Sequence, residues 1–132
     1  MKTIVFDTMM LLKFFKGERG AKRTLDAMEK IERGEIIGAI STIMLIEVYY
    51  ILARKSKKRA EERYDYLVAS VLEKVPVGVD VAKIAGEIKT KYPIPIADAV
   101  IAATAKFLET RYIFTDDEHC SEIEGIETLT SL

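Results

Sequence analysis

Cysteine and histidine are almost missing from this sequence, which holds one of each, Cys120 and His119, in 132 residues. That excludes an internal disulfide framework, and it leaves no ligand set for a cysteine-rich or histidine-rich structural zinc site. A reducing, cytosolic setting is expected. No apolar run approaches the roughly 20 residues that cross a bilayer, so a membrane span is excluded. The stretch Thr3 to Leu12 is apolar enough to imitate a signal sequence, but Asp7 stands in its middle and no small-residue cleavage site follows. An excess of either charge is also missing: 20 basic residues face 21 acidic ones, for a formal net charge of -1. Binding to a polyanion by bulk charge is thereby excluded, and any such binding must come from local patches. Tryptophan, asparagine and glutamine are absent while Lys, Arg and Glu abound, a balance reported for proteins of hot environments.

What is present is a chain 49% hydrophobic and 31% charged. At this length it is one ordinary domain, residues 1–132, able to bury roughly two-thirds of the surface its unfolded form exposes. Short β-branched runs alternate with longer helical patterns, which predicts a three-layer α/β/α domain around a central, mainly parallel sheet. Strands are expected at Lys2 to Phe6, Glu35 to Ile40, Val75 to Val77 and Tyr112 to Thr115, with a last edge strand at Glu127 to Leu129. Helices are expected at Thr8 to Lys16, Ala21 to Arg33, Ser41 or Thr42 to Arg54, Arg59 to Lys74, Asp80 to Lys91 and Ile96 to Glu109. In the fourth of these, Tyr64, Leu67, Val68, Val71 and Leu72 form one apolar stripe, Asp80 caps the fifth, and Pro95 suits the first turn of the last.

Three carboxylates stand where charge is costly. Asp7 is the only charged residue between Thr3 and Leu12, Glu47 the only one between Ser41 and Leu52, and Asp98 the only one between Tyr92 and Ala105. An ionised carboxylate in apolar surroundings must be paired, hydrogen-bonded or metal-bound, or its pKa rises. Asp7 follows the first strand and Thr115-Asp116-Asp117-Glu118 follows the fourth, so both lie at carboxyl ends, where open parallel sheets place their ligands. If the helices bearing Glu47 and Asp98 start at the same edge, the acids converge. Such a cluster requires bound protons or a cation, and oxygen-only ligands select Mg²⁺ or Mn²⁺. A carboxylate-held ion of that kind serves phosphodiester hydrolysis.

Each acid also has a plain structural role open to it. Asp7 could cap a helix, Asp98 could complement a helix N-terminus, and Asp116 to Glu118 could be a solvated turn. Glu47, flanked by Ile43, Ile46, Tyr50 and Ile51, has no capping role, although a basic neighbour could pair it. The run Arg54-Lys55-Ser56-Lys57-Lys58-Arg59 is the one concentrated basic patch. It reads first as a solvated connection whose cations favour a helix C-terminus, and second as a hold on an RNA backbone. Tyr49 and Tyr50 could stack bases, yet aromatics at helical spacing more often serve a core or a dimer interface. His119 reads as a surface-turn residue, with proton transfer as the other use open to it.

Four segments, in order, resemble the PIN-domain family and its VapC-like ribonuclease toxins: Ile4-Val5-Phe6-Asp7-Thr8, Ser41-Thr42-Ile43-Met44-Leu45-Ile46-Glu47-Val48, Ile96-Ala97-Asp98-Ala99-Val100-Ile101-Ala102-Ala103-Thr104-Ala105 and Ile113-Phe114-Thr115-Asp116-Asp117. The resemblance implies an acidic pocket of Asp7, Glu47, Asp98 and Asp117, with Thr115 supplying a hydroxyl to a carboxylate or to the scissile phosphate. Shifting the last motif by one residue makes Asp116 the ligand instead. Asp7, Asp98 and Asp117 would hold Mg²⁺ or Mn²⁺ and Glu47 would complete the site. The resemblance further implies cleavage of RNA to a 5′-phosphate and a 3′-hydroxyl, a homodimer, and an inhibiting antitoxin. Where Cys120 stands the family often carries an aromatic residue. Three other readings each meet an obstacle in the residues. A phosphate-accepting receiver-like domain does not account for Glu47 or for the order of the acids. A haloacid-dehalogenase-like phosphatase needs an aspartate where Met9 stands. A catalytically silent PIN-type module that binds RNA or protein is opposed by the intact acids.

Overall fold

A computed structural model describes all residues from Met1 to Leu132. Five strands form one sheet: β1 (Thr3–Phe6), β2 (Ile37–Ser41), β3 (Glu73–Val75), β4 (Tyr112–Phe114) and β5 (Glu127–Leu129). Their order is β3-β2-β1-β4-β5, and every pairing is parallel. The central strands are largely apolar, as covering of both faces requires; Ile4, Val5, Phe6, Ala39, Ile40, Ile113 and Phe114 are all buried.

Six helices complete the layers: α1 (Thr8–Lys16), α2 (Ala21–Glu32), α3 (Thr42–Ala53), α4 (Lys57–Ala69), α5 (Val79–Lys91) and α6 (Ile96–Phe107). Crossovers between parallel strands are right-handed, so the steps β1 to β2 and β2 to β3 lay α1 to α4 on one face. The return from β3 to β4 lays α5 and α6 on the other. A short 3₁₀ turn, His119–Glu122, follows β4 and packs against α6. Between β1 and β4 the chain reverses its direction of travel across the sheet, which is the switch point at which ligands enter such folds.

Local chemistry accounts for the boundaries. Gly17, at φ 64°, ends α1 in the left-handed conformation that glycine adopts without strain. Gly38 in β2 admits the helical layer, since a Cβ there would overlap Ile31 and come 2.8 Å from Leu72. Ser41 caps α3 by accepting from the Ile43 amide at 3.2 Å, the first of its two expected starts.

Several expected boundaries move. The helix read as Arg59 to Lys74 begins at Lys57, capped by Ser56, and stops at Ala69. Ser70 stops it by donating its hydroxyl to the Leu67 carbonyl and accepting from the Leu72 amide. Of the expected stripe, Leu67 and Leu72 are buried while Val68 and Val71 face water. The third strand lies at Glu73–Val75 rather than Val75 to Val77, because Pro76 has no N–H to continue the ladder. Gly78 rather than Asp80 flanks the start of α5; Asp80 sits in its first turn. Pro95 precedes α6 and accepts from the Ala99 amide through its carbonyl, and the helix ends at Phe107 before Glu109 turns left-handed at φ 58°.

Candidate active site

The carboxyl ends of β1 and β4 carry the site. Phe6 and Phe114 face each other across the two strands, rings edge-on at 5.0 Å, and fix the backbone just before Asp7 and Thr115. The Asp7 amide donates to the Phe114 carbonyl at 3.0 Å, which carries the ladder one residue past β1. Asp7 is consequently 6% exposed, and its Oδ2 accepts from the Thr115 hydroxyl at 2.7 Å.

Burial in this pocket, with the nearby charges of Asp98 and Asp117 adding to it, raises the Asp7 pKa to about 6 even though the Thr115 bond opposes the shift. Asp98, in the first turn of α6, is also raised, by desolvation first and by Asp117 second, with His119 opposing. Asp117 is fixed from inside its own loop: its amide donates to Thr115 Oγ1 at 2.9 Å, and its Oδ1 accepts from the His119 amide at 2.8 Å. Thr115 therefore serves both acids at once, donating to one side chain and accepting from the backbone of the other.

Glu47 meets the site from α3. Its Oε1 accepts from the hydroxyl of Thr8, the residue after Asp7, at 2.7 Å. The half-buried glutamate that has no capping role is satisfied by a hydroxyl and not by a basic partner. Asp7, although it flanks α1, makes no side-chain capping bond either.

The two adjacent aspartates of the β4 loop go opposite ways. Asp116 turns outward to a bidentate pair with Arg23, both bonds at 2.7 Å, and to Lys13 at 2.8 Å. The Arg23 guanidinium, followed by Lys13, holds its carboxyl far below the usual range. Asp117 turns inward toward Asp98.

His119 is the residue the sequence reading left outside. It is expected as a surface-turn histidine, and it is exposed, but the 3₁₀ turn folds its Nδ1 back to 3.0 Å from both Asp98 Oδ2 and Asp117 Oδ1. The bond to Asp98 and the charge of Asp117 raise its pKa. Ligand atoms of Asp98, Asp117 and His119 lie within 4.8 Å of one another, a spacing that one metal ion can span. Its position two residues past Asp117 was the available signal, and only the 3₁₀ turn gives that spacing a direction. Cys120 beneath is buried, with its Sγ 3.7 Å from the Asp98 carbonyl; desolvation, then the Asp98, Asp7 and Asp117 charges, push the thiol up to about 12, so it is inert.

The pocket thus gathers carboxylates that repel one another, one of them buried with its pKa raised to about 6, beside the imidazole of His119. A hard divalent cation would relieve that repulsion, so the donor set fits one. No helix of the protein is long and apolar enough to cross a membrane.

Known proteins resemble the chain over most of its length. Ribonuclease VapC2 of Methanocaldococcus jannaschii is 26% identical over 140 residues, covering 96% of this chain and 92% of the relative. The fold matches VapBC2 of Rickettsia felis, solved bound to a promoter DNA fragment, with TM-score 0.79, 19% identity and coverage of 96% and 97% of the two chains. It also matches Mycobacterium tuberculosis VapC20, a toxin that cleaves the sarcin-ricin loop, with TM-score 0.72, 16% identity and coverage of 89% and 92%. Residues 4–126, nearly the whole chain, match the PIN domain, and the chain belongs to that family.

Proposed function

We propose that the protein is a metal-dependent endoribonuclease and the toxin of a toxin–antitoxin pair. The observation that carries the reading is the meeting of Asp7, Asp98 and Asp117 at the switch point of a PIN fold, with Glu47 tethered beside them through Thr8. Its similarity to a ribonuclease supports the activity, and its structural likeness to chains from toxin–antitoxin complexes, including one of Klebsiella pneumoniae, supports the partner.

In this reading Asp7, Asp98 and Asp117 hold Mg²⁺ or Mn²⁺, directly or through water. The bound ion supplies neutralisation of a phosphate oxygen and a water acidified for attack. Thr115 keeps Asp7 oriented by donating to its Oδ2, which leaves the other oxygen free of that bond. Thr8 holds one oxygen of Glu47, and the second accepts a hydrogen bond from the attacking water. Water attack on phosphorus breaks the bond to the 3′-oxygen, the water's proton passes to solvent and the leaving oxygen takes one up, which leaves a 5′-phosphate and a 3′-hydroxyl. Arg23 and Lys13 hold Asp116 in ion pairs, which supports Asp117 as the ligand of the pair.

The test is incubation of antitoxin-free protein with structured and single-stranded RNAs in Mg²⁺, Mn²⁺ or chelator, beside Asp98→Asn. Metal-dependent cleavage that the folded variant lacks is expected. Absence of cleavage under either metal overturns the reading in favour of a silent binding module, and cleavage by Asp98→Asn at the parent rate removes Asp98 from the mechanism.

A further inference from the structure

The α3–α4 hairpin bears two features that packing does not explain. The first is charge. Arg54 and Lys55 follow α3, where cations suit the helix end, but Lys57, Lys58 and Arg59 occupy the first turn of α4, where the helix dipole disfavours them. All five are exposed, and none forms a salt bridge within the chain. The expected account of this run as a solvated connection with favourably placed cations therefore fails for its second half.

The second feature is an aromatic groove. Tyr49, Tyr50 and Tyr64, with Thr42, Leu45 and Ile46, line an open cavity of about 520 Å³ between the two helices. Tyr49 and Tyr64 pack edge-on at 6.1 Å, and the Tyr49 hydroxyl donates to Glu61 at 2.8 Å. Tyr50 is 45% exposed, and the Arg54 guanidinium lies 4.9 Å from its ring centre. α3 is apolar nearly all round, a pattern of a helix that is covered, yet Ile46 is 65% exposed.

Helical spacing joins these features to the site. Glu47, Tyr50 and Arg54 are three and four residues apart and share one side of α3, with roughly 10 Å of rise from the first to the last. A strand leaving the acidic pocket at Glu47 meets an aromatic ring, then a stacked guanidinium, then four further cations.

We propose that this hairpin surface binds single-stranded RNA flanking the scissile phosphodiester. Bases stack on Tyr50 and the Arg54 plane at the mouth of the groove, and phosphates meet Lys55, Lys57, Lys58 and Arg59. Charge chooses the occupant: five cations without acidic partners match a polyanion, and aromatic rings beside cations are the usual platform for unpaired bases. The inference rests on the nuclease reading and names the substrate form that the reading leaves open.

The experiment is binding of a fluorescent single-stranded oligoribonucleotide to the full chain in chelator, which prevents cleavage, over a salt titration. Lys57→Ala/Lys58→Ala is expected to reduce the slope of log affinity against log salt by about 1.4. Tyr50→Ala is expected to weaken binding roughly tenfold, with Tyr50→Phe restoring it. Circular dichroism of each variant confirms its fold. An unchanged slope together with unchanged affinity in Tyr50→Ala overturns the proposal, and if the parent still cleaves RNA the nuclease reading survives that loss. Variants that alter only self-association, read by light scattering, overturn it in favour of a protein interface. A parent that neither binds nor cleaves RNA overturns both.

Discussion

Replacing Asp7 with asparagine should make the metal-free protein more stable while destroying its activity. The carboxyl is 6% exposed and its pKa stands at about 6 against an ordinary 3.8. At about 1.4 kcal/mol per pH unit, that difference costs the folded state about 3 kcal/mol above pH 7. The sign follows from proton binding. The folded state holds this proton more tightly than the unfolded chain, so the carboxyl leaves stability intact below pH 3.8, erodes it as pH rises toward 6, and leaves it reduced above that. Asparagine keeps the shape and an oxygen to accept from Thr115, and it carries no charge.

Urea unfolding in chelator reads the difference. Asp7→Asn is expected to gain about 2–3 kcal/mol at pH 7.5 and roughly half of that at pH 5. Saturating Mg²⁺ should then stabilise the parent, by about 2.7 kcal/mol at a hundred times the dissociation constant, and leave the variant nearly unmoved. A variant no more stable than the parent at pH 7.5, or a gain that does not shrink toward pH 5, would refute the claim that Asp7 is held in the folded state at an electrostatic cost.

Two further perturbations probe the supports of the pocket. Thr8→Val removes the donor to Glu47 and should lower kcat roughly tenfold or more with little change in KM, since a hydrogen bond to a charged group contributes about 1.5–3 kcal/mol; Thr8→Ser should restore the rate, and steady-state kinetics at saturating Mn²⁺ decides. Arg23→Ala breaks the pair that holds Asp116, and because both side chains are about a third exposed it should cost about 1 kcal/mol or less of stability, diminishing in high salt. A double-mutant cycle with Asp116→Ala isolates that interaction, and additive losses in the cycle would mean that the pair carries no coupling.

The order of strands and helices was legible in the sequence because apolar runs bounded by polar turns set it, and Asp7, Glu47 and Asp98 were legible because each stands alone in an apolar stretch. Their isolation is the physical signal: such a charge has to be compensated somewhere. The end of α4 was not legible, since Val68 and Val71 continue a helical stripe that a single hydroxyl, Ser70, interrupts. The choice between Asp116 and Asp117 depends on Arg23 and Lys13, which lie 93 and 103 residues away in the chain. No local pattern encodes a partner at that separation. His119 escaped for a related reason, because its contact with Asp98 needs a 3₁₀ turn that leaves no periodicity to read.

The same separation of charges resolves an apparent contradiction in reading a chain of net charge -1 as a ribonuclease. Acids and cations here do not mix evenly over the surface. Asp116, the acid that would add needless repulsion beside the pocket, is neutralised by two cations, so the uncompensated negative charge there is confined to side chains able to hold a metal ion. The densest run of unpaired cations, Arg54 to Arg59, lies on the α3–α4 hairpin instead. A polyanion approaching the acidic pocket without its cation is repelled, whereas the hairpin attracts it in either state. Binding and cleavage should therefore respond differently to chelator: removal of the metal ion ends cleavage outright, while affinity for single-stranded RNA falls far less and keeps its dependence on salt.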